Sequence, residues 1–177
     1  MTALPTTHTF SAGEVVTDTT MNNNITAVLN FLMAPPILRV RQTSAQSLTT
    51  GTLTAITLDT EDVDSSGMHS TVSNTSRATA VYPGWYWVNA NVTFAANATG
   101  MRTSSWAVNG STQNGSGTDF PVGSSATTNQ LGGSSTLFFL NVGDYVEFRA
   151  LQASGGALLT DVTSTGQSTM SLHWVSS

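Results

Sequence analysis

The chain of 177 residues contains no cysteine and no lysine, and charged residues make up only 8% of it. Without cysteine there is neither a disulfide framework nor a thiolate zinc site, so stability has to come from packing or from assembly. A net charge of −5 and five scattered cationic residues argue against nucleic-acid binding, which requires clustered cations. The sequence shows no basic, apolar-cored leader and no apolar run of membrane-spanning length, so we expect synthesis in a cytoplasm and no membrane insertion.

Patterns typical of catalysis and metal binding are also missing. His8, His69 and His173 stand apart from one another, without the spacing of a zinc site on a helix. No nucleophile elbow of the hydrolase type occurs, and we expect no cofactor and no enzymatic activity. The one acidic cluster consists of Asp59, Glu61, Asp62 and Asp64. It is interpreted either as a solvated loop or as a calcium site, although its spacing differs from that of an EF-hand.

Hydroxyl groups are abundant instead, because serine and threonine account for about three residues in ten. Such a surface is hydrated through hydroxyls and amides rather than through charges. The length is sufficient for one domain with a sizeable core and an appended arm. The dipeptide Pro35-Pro36 marks the boundary, and we predict an arm with a helix over residues 1–36 and a head over residues 37–177.

The arm carries one amphipathic pattern, TDTTMNNNITAVLNFLM, which predicts a short α-helix capped by Asp18 or Thr19 and ended by the two prolines. Its apolar stripe consists of Met21, Ile25, Val28, Leu29, Leu32 and Met33. A helix of this length is only marginally stable alone in water, so its apolar stripe has to pack against another surface. It covers the open end of its own domain or docks into a partner. We favour docking, because the segment before the helix is predicted to be extended.

From Ile37 onward the sequence predicts β-structure throughout. Short alternating or apolar runs are separated by Gly, Asn, Ser and Asp clusters. The runs are ILRVRQ, TAITLDT, RATAVY, GWYWVNANVTFAA, SSWAVNG, STLFFLNV, DYVEFRAL and TMSLHWV. Eight such runs predict an all-β sandwich of two sheets.

The most aromatic run has two different faces when it is read as a strand. One face consists of Tyr86, Val88, Ala90, Val92 and Phe94. The other face consists of Trp85, Trp87, Asn89, Asn91 and Thr93. We predict that the first face lies in the core. The second face, half aromatic and half amide, suits contact with another subunit better than contact with water.

The segment VYPGWYWVNANVTF resembles the G-x-Y-x-x-x-x-x-V-x-F strand of the complement component q heads, which share a jelly roll with the tumour necrosis factor family. Before it, LDTEDVDSSGMHS and SNTSRATAVYPG resemble the acidic loop and the Arg-bearing strand of such heads. After it, TGMRTSSWAVNGS, GSSTLFFLNVGDYVEFRAL and TMSLHWV resemble the following strands in order. The resemblance covers nearly all of residues 37–177, although the last strand departs from the usual S-G-F ending.

This resemblance implies a jelly-roll homotrimer in which three heads pack around a threefold axis. The interface residues that it implies are Trp85, Trp87, Tyr145 and Leu151. Assembly of this kind also supplies stability that disulfides cannot supply here.

The N-terminal segment FSAGEVVTDTTMNNNITAVLNFLMAPP resembles the leader of short virion proteins from phages that infect actinobacteria. This resemblance implies a structural protein on the virion surface, a trimeric knob fixed by its arm to the major capsid or tail proteins. Capsid decoration and a minor tail position are both compatible with it. The alternative is a knob that binds a host receptor or glycan, with Trp106, Asp119 and Phe120 as contact residues in exposed loops.

Overall fold

The computed structural model describes residues 4–121, 129–132, 135–163 and 166–177, with backbone only for 129–132. Within these residues the chain forms one helical segment followed by fourteen strands. The strands are β1 (Ile37–Arg41), β2 (Ser47–Leu48), β3 (Thr54–Ala55), β4 (Thr60–Asp64), β5 (Arg77–Thr79), β6 (Gly84–Phe94), β7 (Met101–Val108), β8 (Ser111–Thr112), β9 (Thr118–Pro121), β10 (Asn129–Gly132), β11 (Thr136–Leu140), β12 (Tyr145–Gln152), β13 (Leu158–Leu159) and β14 (Thr169–Ser176). The prediction of an all-β head is confirmed.

The strands pair antiparallel in two six-stranded sheets. In the first sheet the order is β10-β6-β14-β1-β4, and β11 also pairs with β6. In the second sheet the order is β3-β12-β7-β8, with β5 paired to β12 and β9 paired to β7. Strands β2 and β13 form a separate pair. The first and last strands of the head, β1 and β14, are neighbours in the first sheet, so the two ends of the head are joined by hydrogen bonds.

The core lies between the two sheets. Strand β6 contributes the inner face that its alternation predicts, from Tyr86 to Phe94. The second sheet contributes Trp106 and Phe148, whose ring centroids are 5.1 Å apart. Each fully buried side chain of this size stabilises the fold by about 1.5–3 kcal/mol. One outer residue of β6 departs from the prediction: Thr93 is buried, because the segment around Ser168 and Gly166 covers it.

The acidic segment folds differently from the loop that the resemblance implies. Residues Thr60–Asp64 form β4, an edge strand paired with β1. The carboxylate of Asp62 accepts hydrogen bonds from Arg39 Nε at 3.3 Å and Arg41 Nε at 2.8 Å. Two cations of one strand thus face an acidic neighbour, and this charge pairing favours an edge strand over a free loop.

The helical segment consists of α1 (Asp18–Met21), a π-helical turn (Asn22–Thr26) and α2 (Ala27–Met33). Its N-cap is Thr17, whose hydroxyl accepts a hydrogen bond from the Thr20 amide at 3.1 Å. The predicted caps, Asp18 and Thr19, were therefore one and two residues late. The wider π turn adds a residue within the predicted α-helix, so residues before and after it no longer follow one α-helical stripe. No helix in the described part of the chain is both long and apolar enough to cross a membrane.

The helix contacts the head through Phe31. Its ring packs edge-on against Tyr82, with centroids 5.0 Å apart, and against Trp174, with centroids 4.8 Å apart. The indole of Trp174 also donates a hydrogen bond to the Pro83 carbonyl at 3.1 Å. Beside this indole lies Gly84, whose φ of +143° and close neighbours leave no room for a Cβ. Phe31, Trp174 and Gly84 therefore form a tight joint between arm and head.

The hairpin between β7 and β8 turns at Asn109 and Gly110, whose φ angles of +49° and +81° fit a two-residue turn of the primed type. The side chain of Asn109 is held at both polar atoms. Its Nδ2 donates to Asp144 Oδ1 at 2.8 Å, and its Oδ1 accepts from the Tyr145 amide at 3.0 Å. These bonds from Asn109, together with bonds from Asn141, hold the pKa of Asp144 below its ordinary value.

Candidate interaction surface

The outer side of the first sheet carries a group of exposed apolar side chains. We call it the aromatic face, and it consists of Trp85, Trp87, Leu137, Phe139 and Val175. Each of them is between 42% and 51% exposed. Single exposed apolar residues are normal on a protein surface, but adjacent ones mark an interaction site.

The register of the strands makes the aromatic face continuous. Leu137 lies opposite Trp87, and Phe139 lies opposite Trp85, in the antiparallel pair of β11 and β6. The rings of Trp85 and Phe139 meet edge to face, with centroids 5.6 Å apart. On the other side of β6, strand β14 places His173 opposite Trp87. Three neighbouring strands thus present one surface.

The border of the aromatic face is polar. Next to Trp87 lies a shallow hollow of about 250 Å³, between β1 and β14. Arg39, Asn89 and His173 line it, together with Val63. An aromatic centre with a polar border is the composition of a protein–protein interface.

The four interface residues implied by the family resemblance do not share this surface. Trp85 and Trp87 lie on the aromatic face. Tyr145 and Leu151 lie on β12 in the second sheet, where they alternate with the buried residues Val146 and Ala150 and therefore point outward from the opposite side. Within one chain, only the two tryptophans are brought together.

The predicted ligand-contact residues also separate. Trp106 was expected in an exposed loop, and this expectation is wrong, because the residue lies in β7 and its side chain is completely buried. It packs between the rings of Phe138 and Phe148. Asp119 and Phe120 are exposed, but they lie on β9 at the edge of the second sheet rather than in a loop.

The predicted docking helix leaves most of its stripe uncovered. Met21, Leu29, Leu32 and Met33 are exposed, while Ile25 and Val28 are half-buried. The residue that actually joins the head, Phe31, was absent from the predicted stripe. Its role depends on Tyr82 and Trp174, which the sequence does not place beside the helix. A hollow of about 120 Å³ lies between Val28, Leu32, Trp174 and the segment at Leu4.

The carboxylates of the acidic cluster are directed to different partners. Asp59 accepts from the amides of Thr43 and Ser44 at 2.7 and 2.8 Å. Asp64 accepts from the His69 amide at 2.9 Å, and Glu61 lies 3.0 Å from the same histidine's Nδ1. Among the described residues there is no group of three or more acidic, histidine or cysteine side chains that could hold a metal ion.

A second charged cluster, which sequence reasoning missed, lies on the outer side of the second sheet. Glu147 accepts from Arg149 Nη2 at 2.7 Å, from Ser76 Oγ at 3.1 Å and from Arg77 Nε at 3.3 Å. The Arg77 guanidinium also lies 4.1 Å above the centre of the Tyr145 ring. Burial raises the pKa of Glu147, but these hydrogen bonds together lower it by more than burial raises it, so the pKa lies below its ordinary value.

Comparison with known proteins shows which fold the chain has but assigns it to no protein family. No family model and no curated protein matches the sequence. Among solved structures, murine APRIL at pH 5.0 is similar with a TM-score of 0.58 at 15% identity, over 78% of this chain and 98% of that chain. Murine APRIL at pH 8.5 is similar with a TM-score of 0.57 at 13% identity, over the same 78% and 98%. Both are cytokine domains of the tumour necrosis factor family. The chain therefore adopts the jelly-roll fold of that family.

Proposed function

We propose that the protein is a non-enzymatic structural component of a phage virion, a homotrimeric knob attached to the capsid or tail by its N-terminal arm. The observation that carries the proposal is the aromatic face. Two tryptophans, a phenylalanine, a leucine and a valine lie exposed side by side on one sheet. A chain that remained single in water would gain nothing from such a surface and would risk aggregation.

A second and a third copy of the chain are the partners that fit this face. Jelly rolls of the tumour necrosis factor fold commonly pack as homotrimers. The half-exposed rings of Trp85 and Trp87 are large, stiff and apolar, which is the side-chain type that dominates binding energy at protein interfaces. A chain without cysteine also gains no stability from disulfides, and assembly would add to the stability that packing supplies.

The arm supplies the attachment. Leu29, Leu32 and Met33 are exposed on α2, although Phe31 of the same helix holds the segment against the head. Because one side of the helix packs on the head and the other side is apolar and exposed, the exposed side can pack against another protein. The proposal takes the capsid or tail surface as that protein, following the resemblance of the leader to phage virion proteins. For the same reason the proposal takes the virion surface as the location of the knob.

Two measurements test the proposal separately. Light scattering on the purified protein should give three times the chain mass of 18.5 kDa, and a stable single-chain mass at micromolar concentration would refute the trimer. Mass spectrometry and cryo-electron microscopy of purified phage particles from a genome that encodes the chain should then show the knob on the particle. Particles that lack it would refute the virion role and leave the trimer result unaffected.

A further inference from the structure

The outer side of the second sheet carries a polar hollow of about 460 Å³, which we call the Arg77 hollow. Its side chains include Ser70, Ser73, Asn74, Arg77, Thr79 and Tyr145. The volume lies within the range of small-ligand sites, which is roughly 300–1,000 Å³. None of the described residues that line it is acidic, although the protein as a whole carries twice as many acidic as basic residues, ten against five.

The walls of the hollow are fixed by internal hydrogen bonds. Asp64 accepts from the amides of Ser66, Met68 and His69, which holds the loop after β4 in one shape. The side chain of His69 is completely buried, between Glu61 and the Thr75 carbonyl. On the opposite wall, Thr79 lies across from Tyr145 in the pair of β5 and β12. A ligand would therefore enter a site that is already formed.

Arg77 supplies a cation with unused donors. Its Nε donates a hydrogen bond to Glu147, and its guanidinium carbon lies over the ring of Tyr145. The terminal nitrogens Nη1 and Nη2 make no hydrogen bond within the described residues, and the side chain is 37% exposed. Glu147 is shared with Arg149, so these three side chains together keep one excess positive charge. The nearby carboxylates of Asp64 and Glu61 are hydrogen-bonded to the wall of the hollow itself.

These features select the class of ligand. Two parallel N–H donors of a guanidinium match a carboxylate, which can accept both hydrogen bonds. One excess positive charge balances one carboxylate, whereas a phosphate dianion on the same guanidinium would leave one negative charge unbalanced. The remaining walls present the hydroxyls of Ser70, Ser73, Thr79 and Tyr145 and the amide of Asn74. Such groups complement the hydroxyls of a sugar ring, because each can donate or accept a hydrogen bond.

We propose that the Arg77 hollow binds a sugar residue that carries a carboxylate, such as a uronic or sialic acid unit of a surface polysaccharide. The carboxylate pairs with the terminal nitrogens of Arg77, and the sugar hydroxyls bond to the surrounding hydroxyl and amide groups. The hollow lies on the sheet opposite the aromatic face, so this inference is independent of the proposed trimer. It would give a virion knob affinity for an acidic cell surface.

The first test compares three small ligands by ligand-observed NMR and calorimetric titration at low ionic strength. Glucuronate should bind with a Kd of about 1 mM, a typical strength for one charge pair and a few hydrogen bonds. Glucose lacks the carboxylate and acetate lacks the ring, so each should bind at least tenfold more weakly. Failure of glucuronate to bind overturns the proposal. Equal binding of acetate overturns the assignment to a sugar and leaves a site for any small anion.

The second test uses matched variants. Arg77→Gln should weaken glucuronate binding at least tenfold, while Arg41→Gln, which removes an arginine paired through Nε with Asp62 instead, should leave it unchanged. Arg77→Gln also removes a hydrogen-bond partner of Glu147, so a second pair of variants is designed to leave the contact between Arg77 and Glu147 intact. Ser73→Glu places a carboxylate in the hollow and should repel the ligand, whereas Ser111→Glu adds the same charge at an exposed site on β8. Equal effects within either pair would overturn the proposal.

Discussion

Replacing Trp87 by alanine should separate the proposed trimer into single chains without unfolding the head. Trp87 is 47% exposed, so assembly could bury up to about half of an indole that offers roughly 250 Å². At about 25 cal/mol per Å², burying this area stabilises the trimer by about 3 kcal/mol for each chain. Three chains lose about 9 kcal/mol together, which raises the trimer dissociation constant by more than a millionfold.

The measurable quantity is the protein concentration at which half of the chains are assembled. It scales as the square root of the trimer dissociation constant, so it should rise about a thousandfold in Trp87→Ala. Sedimentation equilibrium over a dilution series measures it directly. Circular dichroism on the same samples should show a folded head, because the inner face of β6 is untouched.

The matched control is Phe120→Ala. Phe120 is an aromatic residue of nearly equal exposure, 45%, but it lies on β9 in the second sheet, away from the aromatic face. Its replacement should leave the assembly midpoint unchanged. A midpoint for Trp87→Ala within threefold of the wild type would refute the assignment of the aromatic face, as would an equal shift in the control.

Four further predictions concern the head and its arm. Trp106→Ala should lower the free energy of unfolding by about 3–5 kcal/mol in urea denaturation, since the ring is completely buried. A change of only about 0.5 kcal/mol, which is typical of a surface substitution, would contradict its place in the core. Gly84→Ala should sharply reduce the yield of folded protein, because a Cβ there presses on Ser176 and Trp174; normal yield would contradict the tight joint. Glu147→Gln should lower the free energy of unfolding at neutral pH. Since the folded pKa of Glu147 lies below its ordinary 4.5, the difference in stability between wild type and variant should shrink as the pH falls below that value. A pH-independent difference would contradict the ion pairs. Phe31→Ala should lower the melting temperature while Leu29→Asp should not, because Phe31 packs on Tyr82 of the head whereas Leu29 is exposed; the reverse order would place the joint elsewhere.

The sequence was sufficient to predict the core strand. Tyr86, Val88, Ala90 and Val92 alternate with exposed residues, and alternation in a long strand directly reports which side meets the other sheet. It also predicted that Trp85 and Trp87 lie on the side of the strand away from the core, and their contact with another subunit stays a prediction. Their neighbours on the aromatic face could not be predicted, because Leu137 and Phe139 join it only through the pairing of β11 with β6.

Errors arose where long-range contacts decide the local structure. Trp106 was nominated with Asp119 and Phe120 as an exposed ligand contact, but its burial follows from pairing of β7 with β12 and contact with Phe148. Phe31 is selected as the joint by Tyr82 and Trp174, both distant in sequence. The grouping of Tyr145 with the tryptophans comes from the family resemblance and stays a prediction, because contacts between chains can involve both sheets of one chain.

The turn between β7 and β8 has a consequence for the chemical ageing of the protein. An asparagine followed by glycine readily loses its side-chain amide, because the unhindered backbone nitrogen of glycine can attack the side-chain carbon. At Asn109 this attack would require the side chain to rotate away from Asp144 and from the Tyr145 amide, which hold both of its polar atoms. The turn should therefore retain its amide during long storage, and the two hydrogen bonds of a single side chain protect the sequence of the hairpin as well as its shape.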